Sequence, residues 1–399
     1  MPSVDGLLYA AIHSQHLTTP LTSSTFQYRK QTIAYPSGPI CFRRTPQTSA
    51  RPEHHFDERK AMTILDALPP RPCREDWILC VPSGWETYIS LEFHELHQGL
   101  EARGWTRLVI GEVEDTTIVA AIRNASVVLL WEAYEFIERN TELLTMDAAS
   151  DARSATRRIV FCDDVHYFTA HRRQQRLRAF CWADRIMATY PDKLIEWYPE
   201  IATKPIHWTP HAASSYFQRA AAPSSDRVLL SGSRSWPYPF RQFCREKLPE
   251  SVCTAVDHPG YPGYPGDQAN AMKADSAAMQ QRGQERYAAL LSAHPAMLVC
   301  GSIFGYLVAK VFEGMAAGCL VIAERASLGK RLSLLGFSEG EHYVGTDLLH
   351  VIEDVTRVRE AYLGGAPDWR RMVDLAANKV YDLHTTAVRA AQIHLICTE

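Results

Sequence analysis

Hydrophobic patterning begins at Trp77. The stretch WILCVPSG (77–84) is a short apolar run that ends in a turn signal, the mark of a buried strand followed by a loop. Ile89, Phe93, Leu96 and Leu100 then recur on one helical stripe, which Gly104 stops. RLVIGEV (107–113), ASVVLLWE (125–132) and RRIVFCDD (157–164) are further apolar runs without polar alternation. Helical stretches separate them, notably 133–146 and 170–183. RIMATY (185–190) and KPIHWTPHA (204–212) read as the last strands of this half. Strands that are apolar on both faces and alternate with helices predict a parallel sheet covered on both sides.

The pattern restarts near Ser225. DRVLLSGSRS (226–235) predicts a strand and a Gly/Ser turn, followed by a helix over 239–248 and a strand over 251–257. Residues 258–283 are polar and punctuated by Pro and Gly, so a long loop is expected there. A helix over 284–292, a strand in AMLVCGS (296–302), the helix–strand unit VAKVFEGMAAGCLVIAE (308–324) and one long closing helix over 368–396 complete the half. Gly318 stands where a helix C-terminal cap belongs. The organisation predicted is a leader over 1–74, one Rossmann-like domain over 75–212, a second over 213–370, and a terminal helix over 371–399. LPPRP (68–72) marks the end of the leader, which alternates Pro, Ser, Thr and His and is expected to be largely irregular.

Composition narrows the classes. The 399 residues suit two domains and carry a formal net charge of −3. Residues 1–74 hold nine Lys/Arg against five Asp/Glu, and the rest 33 against 40, with no basic run interleaved with aromatics. No nucleic-acid partner is expected. The ten cysteines are scattered without a Cys-x-x-Cys pair, which points to reduced thiols and a cytoplasmic protein. No apolar run reaches the ~18 residues of a membrane span. Thirteen Ser/Thr and a single acid among residues 1–50 give the leader a faint likeness to an organelle-targeting segment.

The chemistry concentrates in VAKVFEGMAAGCLVIAE. Lys310 and Glu313, three apart, share a helix face. Alone they are equally an ordinary surface ion pair. In an open α/β sheet, however, ligands bind outside the carboxyl ends of the strands. KVFEGMAAGCLVIAE with LGFSEGEHYVG (335–345) resembles the donor-binding half of GT-B glycosyltransferases, and within them the spore-maturation (CgeB-like) branch of the family 1-type enzymes. VLLSGSRSWPYPFR (228–241), HPGYPGY (258–264), WTPHAASSYF (208–217) and HTTAVRAAQ (384–392) fit the same branch. The resemblance covers roughly 160–396. It implies a GT-B fold, two Rossmann-like domains facing a cleft, with the terminal helix crossing back to the first. It further implies transfer of a sugar from a nucleotide-sugar donor to an acceptor, without a metal or other cofactor. Glu313 matches the glutamate that holds the nucleotide ribose. Gly305 stands where many such enzymes carry a second glutamate that contacts the donor sugar, which leaves the sugar open. It also keeps a non-catalytic binding module, and a GT-B nucleotide-sugar epimerase, as alternatives.

Other candidates follow from position. Ser231, Gly232, Ser233 and Arg234 directly follow a strand; the glycine lets backbone N–H groups approach a diphosphate, and Arg234 would neutralise its charge. His211, after Pro210, stands at the domain junction, and Ser302, with Ile303 and Phe304, ends another second-half strand. On the acceptor side, Asp163, Asp164 and His166 close a first-half strand, so Asp164 or His166 is the candidate base for an inverting transfer. Ser83 and Gly84 end the first strand, and His94 lies on the following helix. FHELH lacks His-Glu-x-x-His zinc spacing, and no Walker loop, Gly-x-Gly-x-x-Gly or Asp-x-Asp is present.

Overall fold

The computed structural model describes residues 76–83, 91–145, 156–166, 169–219, 222–233, 236–256 and 276–398. The expectations for the leader 1–74 and for the Tyr/Pro/Gly stretch 258–266 lie outside the described residues. The first half runs β1 (Trp77–Pro82), α1 (Leu91–Glu101), β2 (Thr106–Ile110), α2 (Asp115–Asn124), β3 (Val127–Trp131), α3 (Tyr134–Arg139), α4 (Thr141–Thr145), β4 (Arg157–Cys162), α5 (Ala170–Trp182), β5 (Arg185–Ala188), α6 (Pro191–Trp197) and β6 (Ile206–Trp208). All its strand pairs are parallel, in the order β2-β1-β3-β4-β5-β6. Successive strand residues feed opposite cores. Ile78, Val128 and Val160 pack with α2, α3 and α5, whereas Leu79, Leu129 and Ile159 pack with Phe93, Leu96 and Leu100 of α1. Burial on both faces is why these strands show no polar alternation.

The second half contains β7 (Val228–Ser231), α7 (Pro239–Lys247), β8 (Cys253–Val256), α8 (Ser276–Ser292), β9 (Ala296–Val299), α9 (Lys310–Ala316), β10 (Leu320–Glu324), α10 (Lys330–Leu334), β11 (Val344–Thr346), α11 (Val351–Leu363), α12 (Pro367–Leu383) and α13 (Thr386–Thr398). Its sheet is also parallel, ordered β11-β10-β9-β7-β8. Gly318 closes α9 with φ +78°, a left-handed residue one past the Ala317 cap.

Three expectations change. The helix expected from 284 begins at Ser276, because Ala, Met, Gln and Arg sustain a helix by propensity without an apolar stripe. The stretch 133–146 forms two short helices that part at Asn140, whose side chain is drawn to Asp115 (2.8 Å). The closing helix is broken into α12 and α13. At the break the Ala213 N–H donates to the His384 carbonyl (2.8 Å), the Thr386 N–H donates to the Ala213 carbonyl (3.0 Å), and the Thr385 hydroxyl accepts from the Val388 N–H. The junction thus exchanges helical hydrogen bonds for pairing with the segment after β6 and starts a new, capped helix. Past it, Ala390, Ile393, Ile396 and Cys397 of α13 join Phe93 and Leu96 in a first-half core.

The two halves also meet through the loop after β9. Tyr306 is 6% exposed and belongs to a first-half core. Its ring stacks on Tyr190, with centroids 3.9 Å apart and 7° between planes.

Candidate functional site

The second sheet reverses its direction of growth between β7 and β9, so a crevice opens beyond their carboxyl ends. Ser231, Gly232 and Ser233 line it after β7. Two cations converge there. The Lys310 ammonium, from the start of α9, donates to the Ser231 carbonyl (3.1 Å). The Arg241 guanidinium, from α7, donates to the carbonyls of Ser233 (3.3 Å) and Cys300 (3.4 Å) and lies over the Tyr238 ring at 4.0 Å. Gly232 has φ +113°, and any Cβ there would collide with Lys310 Nζ and press on Arg241 Nη1. Only glycine leaves both cations in place.

The electrostatics are unbalanced. Lys310 and Arg241 are 7% and 3% exposed. Among the described residues no carboxylate pairs with Arg241, and its buried Nε lacks a hydrogen-bond partner. Burial pushes the Lys310 pKa well below its ordinary value; neighbouring Arg241 pushes it further and Glu313 opposes both. Buried donors that converge without a paired carboxylate make this corner electropositive.

Glu313, one turn along α9, is 4% exposed and accepts no hydrogen bond among the described residues. Burial, helped by Glu92, raises its pKa to about 8, against Lys310 and His211. A solvated surface pair is therefore excluded for Lys310 and Glu313. Above them sits His211. Its Nδ1 lies 2.9 Å from Glu92, its Nε2 lies 2.9 Å from the Tyr190 hydroxyl, and Asp163 is 3.6 Å away. Glu92 also accepts the Ala212 N–H at 2.7 Å. Burial lowers the His211 pKa, but the Glu92 and Asp163 carboxylates outweigh it and bring it to about 9. Burial raises Asp163 to about 7 despite His211.

His166 and Asp164 stand apart from this cluster. His166 contacts the Tyr306 hydroxyl (3.1 Å) and stacks on Phe304, centroids 4.9 Å apart and planes 4° apart. Burial lowers its pKa, with the Asp164 carboxylate 3.9 Å away opposing. The Asp164 side chain is 50% exposed. Ser302, with φ +62°, accepts the Phe304 N–H. Ser83 is exposed and tied to β2 through Ile110, and His94 is half-buried on α1. Gly84 and Arg234 lie outside the described residues. No group of three or more His, Cys, Asp or Glu is arranged to hold a metal among the described residues.

Sequence reasoning missed Arg241, Glu92 and Glu132. Arg241 lies inside the quoted stretch 228–241 but reads as one more charge on a helix, where periodicity assigns it to solvent. Glu92 shows only as an acid in a helix. Glu132 directly follows β3 with φ +51°, beside the point where the first sheet reverses; it accepts from Asp163 N (2.5 Å) and the Tyr134 hydroxyl (3.0 Å). Burial raises its pKa to about 7, against Arg176. The carboxylate after VVLLW was the available signal.

Comparison with known proteins bears on the fold and on the second half. Residues 241–394 match a family described as glycosyl transferase-like. No curated protein matches the sequence. Among solved structures, an alpha-glucosyltransferase in complex with UDP and a 13-mer DNA is similar over 81% of this chain and 100% of its own, at 13% identity and a TM-score of 0.55. Anabaena Alr3699/HepE in complex with UDP and glucose is similar over 81% and 99%, at 10% identity and a TM-score of 0.51. A glycosyltransferase from Rickettsia africae is similar over 80% and 97%, at 10% identity and a TM-score of 0.50. The architecture is the GT-B fold of these structures, and residues 241–394 are similar to the glycosyl transferase-like family.

Proposed function

We propose that the protein transfers a glycosyl group from a nucleoside-diphosphate sugar to an acceptor without a metal ion. The observation that carries this reading is the buried Lys310–Arg241 pair converging on Gly232 at the sheet's switch point. In the reaction the bond between the anomeric carbon and the β-phosphate oxygen breaks, and a bond to an acceptor oxygen forms. The departing oxygen gains negative charge, and Lys310 and Arg241 stabilise it from fixed positions. Gly232 and the serines beside it give the diphosphate close backbone approach, and Arg234, which follows them in sequence, would supply a further cation. Glu313 takes the ribose hydroxyls. The His211 imidazolium, oriented by Glu92, adds positive charge at the junction. For an inverting reaction Asp164, with its exposed carboxylate, takes the acceptor proton, because His166 is already engaged by Tyr306 and Phe304. Ser83 and His94 are the acceptor-side candidates, with Gly84 next to Ser83 in sequence. UDP is the first nucleotide to test, since it accompanies two of the structural neighbours. The stretches quoted above support the CgeB-like branch, and eight free cysteines among the described residues support a cytoplasmic location.

The test is a thermal-shift screen with UDP, GDP, dTDP, CDP and ADP, with and without EDTA. A ligand of the folded state raises the melting temperature by mass action. One nucleotide should give a clear shift that EDTA leaves unchanged. No shift with any of the five overturns the donor site, and binding without turnover leaves a non-catalytic module.

A further inference from the structure

A pocket of about 410 Å³ adjoins the cation pair. That size lies within the range of small-ligand sites, roughly 300–1,000 Å³. The loops after β9 and β10 form its walls, and the start of α6 from the first half closes it. Phe240 and Cys300 line it, and both border Arg241: one precedes it in the chain, the other gives it a carbonyl. A group bonded to a diphosphate held by Arg241 has this space beside it.

The charges that face the pocket are mostly spoken for. Arg331 pairs with Asp192 of the first half and donates to the Ser327 carbonyl, and Lys193 pairs with Glu196. Glu324 differs. Its Oε2 accepts the Ser327 hydroxyl at 2.6 Å, while Ser327 in turn accepts the Gly301 N–H at 2.8 Å. This chain fixes the carboxylate and ties the two loops together. The other oxygen, Oε1, has no hydrogen-bond partner among the described residues. Opposite it, Phe304 is immobilised by His166 stacked on its ring and by Trp236 edge-on at 6.1 Å. A fixed carboxylate with an open oxygen, beside a rigid aromatic face, suits a ring with hydroxyls on its edge and C–H groups on its face. It does not suit a second carboxylate, because no cation there is left unpaired.

We infer that this pocket receives the glycosyl ring of the donor, that Glu324 selects it through its hydroxyls, and that the ring is an uncharged hexosyl unit rather than an acidic sugar. The inference rests on the diphosphate assignment above, and it places on β10 a carboxylate role that Gly305 cannot fill.

Calorimetric titration separates the two assignments. Wild type, Glu324→Gln and Ala326→Trp would each be titrated with UDP, GDP, UDP-glucose, GDP-mannose and UDP-glucuronate. Glutamine still accepts from Ser327, and Ala326 is an exposed lining residue, so both variants should fold. Wild type should bind one hexose conjugate at least tenfold more tightly than its bare nucleotide, and the glucuronate no more tightly than UDP. Both variants should lose the hexose increment and keep nucleotide affinity within twofold. Equal loss for nucleotide and conjugate would overturn the inference by placing the base in the pocket, as would unchanged binding in both variants. Binding of none of the five by wild type would overturn the inference for uridine and guanosine hexose donors, and together with no shift in the nucleotide screen it would refute the donor site itself.

Discussion

Replacing Lys310 by Met asks whether the buried cation serves the fold or a ligand. Methionine keeps the length and apolar stem of lysine and removes only the charge. Among the described residues the ammonium makes one hydrogen bond, to the Ser231 carbonyl at 3.1 Å. Losing it costs about 1.5–3 kcal/mol, the range for a hydrogen bond to a charged group. Against that stands the removal of a desolvated cation that lies beside Arg241, and exchanges of buried ionic groups for apolar ones are often neutral or stabilising by about 1–4 kcal/mol. Glu313 does not become a stranded charge, because its pKa is already about 8 and its neutral form is accessible at pH 7. The melting temperature should therefore hold or rise. Nucleotide binding loses a charge-assisted contact of about 1.5–3 kcal/mol, which corresponds to roughly 10- to 150-fold in Kd. Differential scanning calorimetry and titration with UDP or the nucleotide identified by thermal shift give both numbers. A variant that melts several degrees lower and binds nucleotide like wild type would refute the reasoning and make Lys310 a structural residue.

Three other perturbations bear on the same site. Gly232→Ala adds roughly 1–3 kcal/mol of backbone strain and displaces both cations; calorimetry should show a lower melting temperature and titration no measurable nucleotide binding, and wild-type affinity would remove Gly232 from the site. Tyr306→Ala empties a place in a first-half core and should cost roughly 3–5 kcal/mol by urea denaturation; a loss under 1 kcal/mol would mean the ring does not join the halves. For His211 the folded pKa of about 9 lies above the ordinary 6.5, so its contribution is complete below about pH 6.5 and lost as pH rises through about 9. Glu92→Gln should remove on the order of 3 kcal/mol at pH 6 and little at pH 9.5, read as the difference between wild-type and variant denaturation curves; a difference that does not vary with pH would reject the Glu92–His211 pair as its source.

The sheets were legible because their strands are buried on both faces: VVLLW and LVIAE leave a buried strand as the simplest reading. Helix ends were less so. Thr385 and Thr386 look helical beside HTTAVRAAQ, and only the pairing with Ala213, from a remote part of the chain, explains the break. The site divides the same way. Glu313 and Lys310 were visible as charges in an apolar run, since burial is inferred from their neighbours in sequence. Arg241 and Glu92 were not, because their burial is created by elements 59 and 119 residues away, Cys300 for one and His211 for the other. A one-dimensional pattern does not register a charge that becomes interior only on assembly.

Tyr306 makes the loop after β9 a rivet as well as a wall. Phe304 and Gly305 face the pocket of the second half, and the next residue is driven into the hydrophobic interior of the first. A shell-like gape about an unobstructed cleft would have to pull that ring off Tyr190 and out of its socket. Opening for exchange of donor and product must pivot around this anchor instead, so entry is expected away from Tyr306, on the side of Gly232. Pressure from a ligand against Phe304 is handed directly to His166, and through it to the rim that holds Asp164.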